Sequence, residues 1–412
     1  MKLRTLATAA AAAALIVSGI GTADASPEKP VAPSAASVQT TTKEKANSPA
    51  PKPGRPQALA ATSECAPVVE GRTSCLTVTT PHAGLKPTNA QEVPTAVQAL
   101  QIPKWCIDHA YQGVYGLRNE ACEVNGLTFT TYRITNGTRT VTGEAQMNVI
   151  NYEFTDKGGP TWAHQIEVSA YLGWGDAITA TVEGTASASG SCNRANATFP
   201  AQGLSPTGSW RIGEAYYGTT ATAPGAIGFC TTNWQLTFRA AGYDPATANY
   251  GRDNVRCDNA TGGNPYTGCV VPWYPSPAFY RQANTPELAR HVSLAQASGL
   301  PGATFEAPLT RTTDPAVSGP NRTMACGDAP SIPDKSCDEY PLATSRQGLT
   351  AGGTRRTFDN CSFGLPQQSG PTGVSVCMIS RNEQDSQGGT MSQFYRWERV
   401  LDGDPFRVLV IA

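Results

Sequence analysis

The chain has 412 residues, with 31 Lys and Arg against 32 Asp and Glu, and a formal net charge of -1. This length exceeds what one hydrophobic core usually organises, so we expect a multidomain protein. The balanced charge excludes binding of nucleic acid through a global positive field, so any such binding must depend on local arginines.

The first 25 residues predict a secretory signal peptide. Two basic residues precede an apolar run that ends at Val17, and residues 23–25 form an A-x-A cleavage site. Beyond it no segment approaches the ~20 apolar residues that a membrane span needs. We therefore expect a secreted, extracellular protein. Residues 26–62 are rich in Pro, Ala, Ser and Thr without an apolar period, which predicts a disordered segment.

The twelve cysteines all lie between Cys65 and Cys377, and no C-x-x-C pair stands near a histidine. This pattern favours disulfides over zinc ligation. Connectivity does not follow from sequence, but the neighbours Cys326 with Cys337 and Cys361 with Cys377 are the expected pairs.

Residues 63–280 predict a β-rich, disulfide-containing, sandwich-like domain. Alternating apolar and polar residues indicate half-buried strands near 166–172, 178–182 and 234–238. The alternation changes register within 145–154, which indicates a long strand with a β-bulge. Attachment, targeting and self-inhibition all remain open as the role of this region.

Residues 281–412 predict a small α+β domain. Thr285 is a candidate N-cap, Pro286 stands at the first helical position, and Gly299 ends the helical pattern. The other expected elements are a strand over 374–380, a turn at Gly388-Gly389, a short helix over 390–399 capped by Thr390, and a last strand over 406–411.

Carboxylates are the main candidates for chemistry in this domain. The chain has four histidines and only His291 lies here, so a Ser-His-Asp or Cys-His site requires that His291 reach residues 320–412. Asp338, Glu339 and Asp385 could converge on a hard divalent cation, which prefers oxygen ligands. Nearby arginines suit phosphate oxygens. The same residues also fit solvated loops and turns, and their pattern alone leaves this alternative open.

Several sequence blocks resemble the NucA/NucB deoxyribonuclease family of secreted bacterial endonucleases. They are CDEYPLATSRQG and SQGGTMSQFYRWERVLDGDPFRV, preceded by TPELARHVSLAQASGLPG and NRTMACGD, and together they span about residues 280–412. The resemblance implies a fold like that of the ββα-metal nucleases, in which a hairpin and the following helix hold one divalent ion against DNA. It implies Mg²⁺ or Mn²⁺ as cofactor.

The resemblance also implies roles for individual residues. Asp338 falls on the family's general base, which related nucleases supply with histidine, and Glu339 would support the metal or its waters. The family's Asn ligand is replaced by Asp385, or by Asn382 three residues earlier. Further expected site residues are Arg322, Arg346 and Arg381 for phosphate or DNA, with His291 and Gln387 in supporting roles.

The leading hypothesis is a secreted metal-dependent endonuclease that hydrolyses DNA with little sequence specificity. The main alternative is a secreted protein whose β-rich domain binds a cell-wall polymer or surface partner and whose nuclease-like domain is inactive. A weaker alternative is a glycosidase in which two carboxylates flank a sugar bond at ~5 to 9 Å.

Overall fold

The computed structural model describes residues 52–53, 63–82, 100–110 and 112–412. The predicted signal peptide lies outside the described residues, as does the predicted disordered segment apart from residues 52–53. Within the described part of the chain, no helix is both long and apolar enough to cross a membrane.

Two sheets make up most of the first part of the chain. The first, nine-stranded over the described residues, contains β1 (Lys52–Pro53), β2 (Ser63–Cys65), β3 (Arg72–Thr79), β4 (Tyr115–Leu117), β5 (Glu120–Thr135), β6 (Thr138–Thr155), β7 (Thr161–Trp174), β9 (Cys192–Thr198) and β11 (Arg211–Thr219). The second, five-stranded over the same residues, contains β8 (Thr181–Gly190), β10 (Gln202–Gly203), β12 (Ile227–Arg239), β13 (Ala246–Asp258) and β14 (Gly268–Val270). Helices α1 (Lys104–Asp108) and α2 (Gly175–Ile178) are short.

One apolar core joins the two sheets. Phe129, Met147 and Trp162 of the first sheet pack in the same buried cluster as Trp234 and Phe238 of the second. The prediction of a β-rich region is confirmed, and the shared core is of the sandwich type.

Residues 145–154 lie within one long strand, β6, as predicted, but the change in their apolar alternation has a different cause. Val149 faces the core between the sheets, whereas Ile150 faces a second buried cluster that includes Cys106 of α1. The apparent change of register therefore reflects burial on both faces of the strand. The irregularity in its pairing with β7 lies between Gln146 and Met147. The strand expected over 178–182 begins at Thr181, after α2.

The C-terminal part contains both helices and short strands. Its elements are β15 (Ser276–Arg281), α3 (Pro286–Ala297), β16 (Leu309–Thr310), α4 (Pro315–Cys326), β17 (Lys335–Tyr340), a 3₁₀ turn (Leu349–Ala351), β18 (Arg355–Arg356), β19 (Val374–Ser380), α5 (Arg381–Trp397) and β20 (Pro405–Ile411). The strands form two small sheets, ordered β15-β20-β16 and β17-β19-β18. Strand β15 pairs in parallel with β20, although it precedes the expected domain start at 281.

Helix α3 begins and ends where the sequence predicts. Pro286 opens it, and Gly299 follows it with a φ of +100°, a conformation that favours glycine. Thr285 stands at the N-cap, but its hydroxyl donates to the carbonyl oxygen of Arg281 instead of capping the helix.

Helix α5 differs from its prediction. It runs without a break from Arg381 to Trp397, so Gly388 and Gly389 lie inside a helix and not in a turn. Each glycine costs about 1 kcal/mol relative to alanine. Burial of the face that carries Met391, Phe394 and Tyr395 offsets this cost.

Six disulfides use all twelve cysteines. The two expected pairs, Cys326 with Cys337 and Cys361 with Cys377, are both present. The first joins α4 to β17, and the second joins β19 to the loop that precedes it.

A buried ionic network connects the β-rich part to the C-terminal part. Asp404 Oδ2 lies 2.7 Å from Arg118 Nη2, and Asp404 Oδ1 lies 2.6 Å from Arg256 Nη1. Arg399 Nη2 lies 2.9 Å from Asp258 Oδ1, and both of these side chains are completely buried. The two parts therefore share a desolvated interface.

Candidate functional site

Strand β17 carries the two adjacent acids, and its alternation separates them. Successive residues of a strand face opposite sides. Tyr340, on the side of Asp338, packs with apolar residues of α3 and α5. Cys337, on the side of Glu339, packs with Ala325 of α4. The side chains of the two acids therefore lie on opposite faces of β17, and the structure does not bring Glu339 to the side of Asp338.

Asp338 is held by a histidine from α3. Its Oδ2 lies 2.6 Å from His291 Nδ1, and His291 Nε2 lies 2.9 Å from Ser375 Oγ on β19. All three residues have no exposed surface. With Asp338 ionised, Nδ1–H donates to the carboxylate and Nε2 accepts from the serine hydroxyl.

His291 thus reaches the DEYP segment, as a Ser-His-Asp catalytic site in this domain would require. Ser375 is nevertheless completely buried within β19, where no substrate carbonyl can approach its hydroxyl. The arrangement is a chain of internal hydrogen bonds that fixes the imidazole and, through it, one oxygen of Asp338.

The first turns of α5 place two amides on the same side as Asp338. Gln384 Nε2 donates to Gln387 Oε1 over 3.1 Å. Gln387 also lies next to the hydroxyl of Tyr280 on β15, and burial, together with the nearby Asp338 charge, raises the pKa of Tyr280 well above its ordinary value. We call Tyr280, Asp338, Gln384 and Gln387 the inner polar cluster.

The inner polar cluster contains unsatisfied polar atoms. Within the described part of the chain, Tyr280 Oη, Asp338 Oδ1, Gln384 Oε1 and Gln387 Nε2 are buried without a hydrogen-bond partner. Each such atom costs about 1–3 kcal/mol. The cluster is therefore suited to a bound polar group such as water, a cation or a phosphate oxygen.

Glu339 forms an ion pair on the opposite face of β17. Its Oε1 and Oε2 lie 2.9 and 3.1 Å from Nη1 of Arg322. Burial raises the pKa of Glu339 to about 7, although Arg322 opposes this shift. The Arg322 side chain remains 48% exposed. It can therefore also meet a phosphate.

Asp385 and Asn382, the expected metal ligands, are exposed on α5. With 3.6 residues per turn, positions 384 and 387 share one side of the helix, whereas 382 and 385 occupy the other. The structure therefore does not bring Asp385 or Asn382 into the inner polar cluster. Gln384, which the sequence reasoning missed, takes the inward position.

The other expected phosphate-binding arginines lie at the surface. Arg346 Nη2 is 2.8 Å from Asp402 Oδ2, and Arg381 Nη2 donates to the carbonyl oxygen of Lys335 over 3.2 Å. Both are exposed, so they can exchange these contacts for phosphate oxygens.

Two further acids, which no motif indicated, join the elements around Asp338. Glu287 at the start of α3 accepts from Lys335 Nζ and from the backbone N–H of Ser380, each over 2.6 Å. Glu383 Oε2 accepts from the backbone N–H of Leu288 over 2.9 Å. These contacts fix the start of α5 against α3 and β17.

The donor set fits a hard divalent cation only in part. The described residues hold no group of three or more His, Cys, Asp or Glu side chains arranged to bind a metal. Gln384 Oε1 and Asp338 Oδ1 are unpaired oxygens, the donor type that Mg²⁺ prefers. Since Mg²⁺ usually retains several waters and substrate phosphates as ligands, few protein oxygens suffice.

Comparison with known proteins identifies the segment that contains β17, β19 and α5. Residues 306–409 match the family model described as Deoxyribonuclease NucA/NucB. No curated protein and no solved structure matches the chain. The match begins after α3, so His291 lies outside it. Residues 306–409 are thus similar to the NucA/NucB deoxyribonuclease family, as the DEYP and SQGG blocks predicted.

Proposed function

We propose that this protein is a secreted endonuclease that hydrolyses phosphodiester bonds of DNA with a divalent cation and little sequence preference. The main support for this proposal is that the family match includes Asp338, whose Oδ1 is an unpaired buried oxygen on the side of α5. The six disulfides support an oxidising, extracellular location.

Asp338 would act as the general base. His291 holds Oδ2, which leaves Oδ1 to accept a proton from the attacking water. A carboxylate by itself is a weak base toward water. A divalent cation such as Mg²⁺ or Mn²⁺, held by Gln384 Oε1, would supply the missing driving force by acidifying bound water and polarising the phosphate.

Access to Asp338 requires side-chain movement. Asp338 has no exposed surface, whereas Gln384 is half-buried on the same side. We propose that the Gln387 side chain turns aside when a phosphate group enters, whereas Gln384 keeps its position and holds the cation. Arg322, Arg346 and Arg381 would hold neighbouring backbone phosphates, which makes binding sensitive to salt without reading bases.

Plasmid cleavage by the full-length, disulfide-bonded protein tests this proposal. We expect cleavage with Mg²⁺ or Mn²⁺, its loss in EDTA, and a rate about 10²–10⁴-fold lower in Asp338→Asn, because general-base catalysis contributes factors of that size. Asp385→Asn is the matched control on the exposed side of α5 and should cleave at the wild-type rate. Loss of cleavage in Asp385→Asn, with activity retained in Asp338→Asn, would contradict the proposed site.

A second candidate is a surface-binding protein with an inactive nuclease-like domain. The complete burial of Asp338, together with the lack of a three-ligand metal group among the described residues, favours it. A folded protein that leaves plasmid DNA intact with both cations, but sediments with cell-wall polymer, would support this candidate.

A further inference from the structure

We propose that the loop 261–264 of the β-rich part and the second half of α5 form a separate phosphate-binding site for the DNA backbone. This inference rests on the proposed function only in taking DNA as the ligand. The site combines residues from both parts of the chain, and Thr261 and Gly262 lie outside the family match.

The site is a polar cavity of about 200 Å³. Its lining consists of Thr261, Gly262, Arg311, Ser392, Tyr395 and Arg396. One water in the liquid occupies about 30 Å³, so the cavity has room for a phosphate group with several waters. The lining contains two arginines and no carboxylate, which favours an anion.

Arg311 contacts an aromatic ring and a backbone carbonyl group at the cavity. The guanidinium of Arg311 lies 4.1 Å from the centre of the Tyr395 ring and donates to the carbonyl oxygen of Val400. Nearby Asp404 is bound by two buried arginines, and Asp402 is paired with Arg346. Neither aspartate lines the cavity, so the lining side chains have a net positive charge.

The loop is held firmly against α5. Asp258 Oδ1 accepts from the Thr261 hydroxyl over 2.6 Å and from Arg399 Nη2 over 2.9 Å. Asn264 Nδ2 donates to the carbonyl oxygen of Arg396 over 2.9 Å. Because these contacts exist without ligand, binding requires little ordering of the loop.

The cavity lies farther along the helix that carries Gln384 of the inner polar cluster. Arg396 follows Gln384 by twelve residues on one helix, which corresponds to about 18 Å of rise. Phosphates of one DNA strand are about 3.4 Å apart along the axis. Twelve residues also correspond to about 120° of rotation, so Arg396 faces the side of α5 that carries Asp385, and the rise alone spans roughly five nucleotides of one strand.

Binding measurements on full-length Asp338→Asn protein, which we expect to cleave about 10²–10⁴-fold more slowly than wild type, test this site. Fluorescence anisotropy with a 20-base-pair duplex at several salt concentrations gives Kd and its salt dependence. We expect Arg396→Gln to raise Kd and to reduce the slope of log K against log salt by about 0.9, the value for one lost phosphate contact. Gly262→Asp should also raise Kd, since a side chain there meets no atom within 4 Å and would place a carboxylate beside the cavity.

Arg239→Gln is the matched control. Arg239 is 53% exposed, pairs with Glu183 on the second sheet and does not line the cavity, so Kd and slope should stay unchanged. Thermal unfolding of each variant verifies that the fold is intact. Unchanged DNA binding in both Arg396→Gln and Gly262→Asp, or an equal loss in Arg239→Gln, would overturn the site.

Two comparisons show whether the proposed catalysis or the proposed phosphate site is wrong. If wild-type protein leaves plasmid intact but binds DNA through Arg396, the proposed catalysis fails and the phosphate site stands. Calorimetric titration with inorganic phosphate tests whether the site binds free phosphate instead of the DNA backbone. Phosphate binding that Arg396→Gln abolishes, with DNA binding unchanged, would show a site for free phosphate and overturn the assignment to DNA.

Discussion

Asp338 and Glu339 are neighbours in sequence but occupy different environments. Asp338 shares a hydrogen bond with His291 and leaves Oδ1 unpaired beside α5, whereas Glu339 pairs with Arg322 beside α4. The physical cause is the two-residue repeat of β17. Asp338 is therefore the candidate for catalysis, whereas Glu339 is the candidate for making the unfolding free energy depend on pH.

Glu339 should make the unfolding free energy depend on pH. Its folded-state pKa of about 7 exceeds its ordinary value because of burial. Between about pH 4.3 and 7 the folded protein binds a proton that the unfolded chain does not, so stability falls as pH rises through this window. The expected loss is roughly 2–4 kcal/mol, at 1.36 kcal/mol per pKa unit.

Urea unfolding of wild type and Glu339→Gln at pH 5 and pH 8 tests this prediction. Glutamine cannot titrate, so the variant should lose less stability than wild type between the two pH values. An equal pH dependence in both proteins would show that Glu339 does not titrate in this window.

At the scale of elements, α5 connects the candidate catalytic site with the proposed phosphate site. Its first turns present Gln384 and Gln387 to Asp338, and its later turns present Ser392 and Arg396 to the cavity. Because the helix is continuous, the spacing of the two sites is fixed by helical rise. With a turn at Gly388-Gly389, one continuous helix would not fix the distance between the two sites.

The two glycines provide a direct test of that continuity. Both are exposed, and an added Cβ would meet no atom within 4 Å at either position. Alanine at Gly388 or Gly389 should therefore raise the unfolding free energy by about 0.5–1 kcal/mol, since it reduces the freedom of the unfolded chain. Urea unfolding of the two single variants measures this change. Destabilisation by both alanines would indicate the turn that the sequence predicted.

At the scale of the whole molecule, buried ion pairs and hydrogen bonds join the β-rich part to the C-terminal part. Arg118 and Arg256 reach Asp404 across a buried interface, and Arg118 also donates to the carbonyl oxygens of Glu398 and Arg399. Removing the β-rich part would leave Asp404 without these partners, which is why full-length protein is the right material for the cleavage assay.

Asp404 and Asp402 offer a matched comparison of this interface. Asp404→Asn weakens a buried network and should destabilise the protein by about 3–5 kcal/mol, because the buried Arg118 loses its carboxylate partner and Arg256 keeps only Asp258, 3.4 Å away. Asp402→Asn removes an exposed pair with Arg346 and should cost less than about 1 kcal/mol. Urea unfolding of both variants measures the difference. Similar small effects would mean that the network contributes little to holding the two parts together.

The local elements and the family of the C-terminal part could be predicted from sequence alone. Helix α3 is defined by Pro286 and Gly299, and strand β19 by the apolar run from Val376 to Ile379. Two disulfides followed from closeness in sequence, and the DEYP and SQGG blocks identified the deoxyribonuclease family. These features depend on near neighbours along the chain, whose chemistry is visible in the sequence.

The composition of the site was decided by tertiary structure. His291 meets Asp338 across 47 residues, and Gln384 turns inward because packing of the later turns keeps α5 helical through two glycines. The pairing of loop 261–264 with Arg396 spans more than a hundred residues. Such contacts arise from the packing of whole elements against each other. The periodicity of the sequence shows which face of an element is apolar, but it does not indicate which faces pack together.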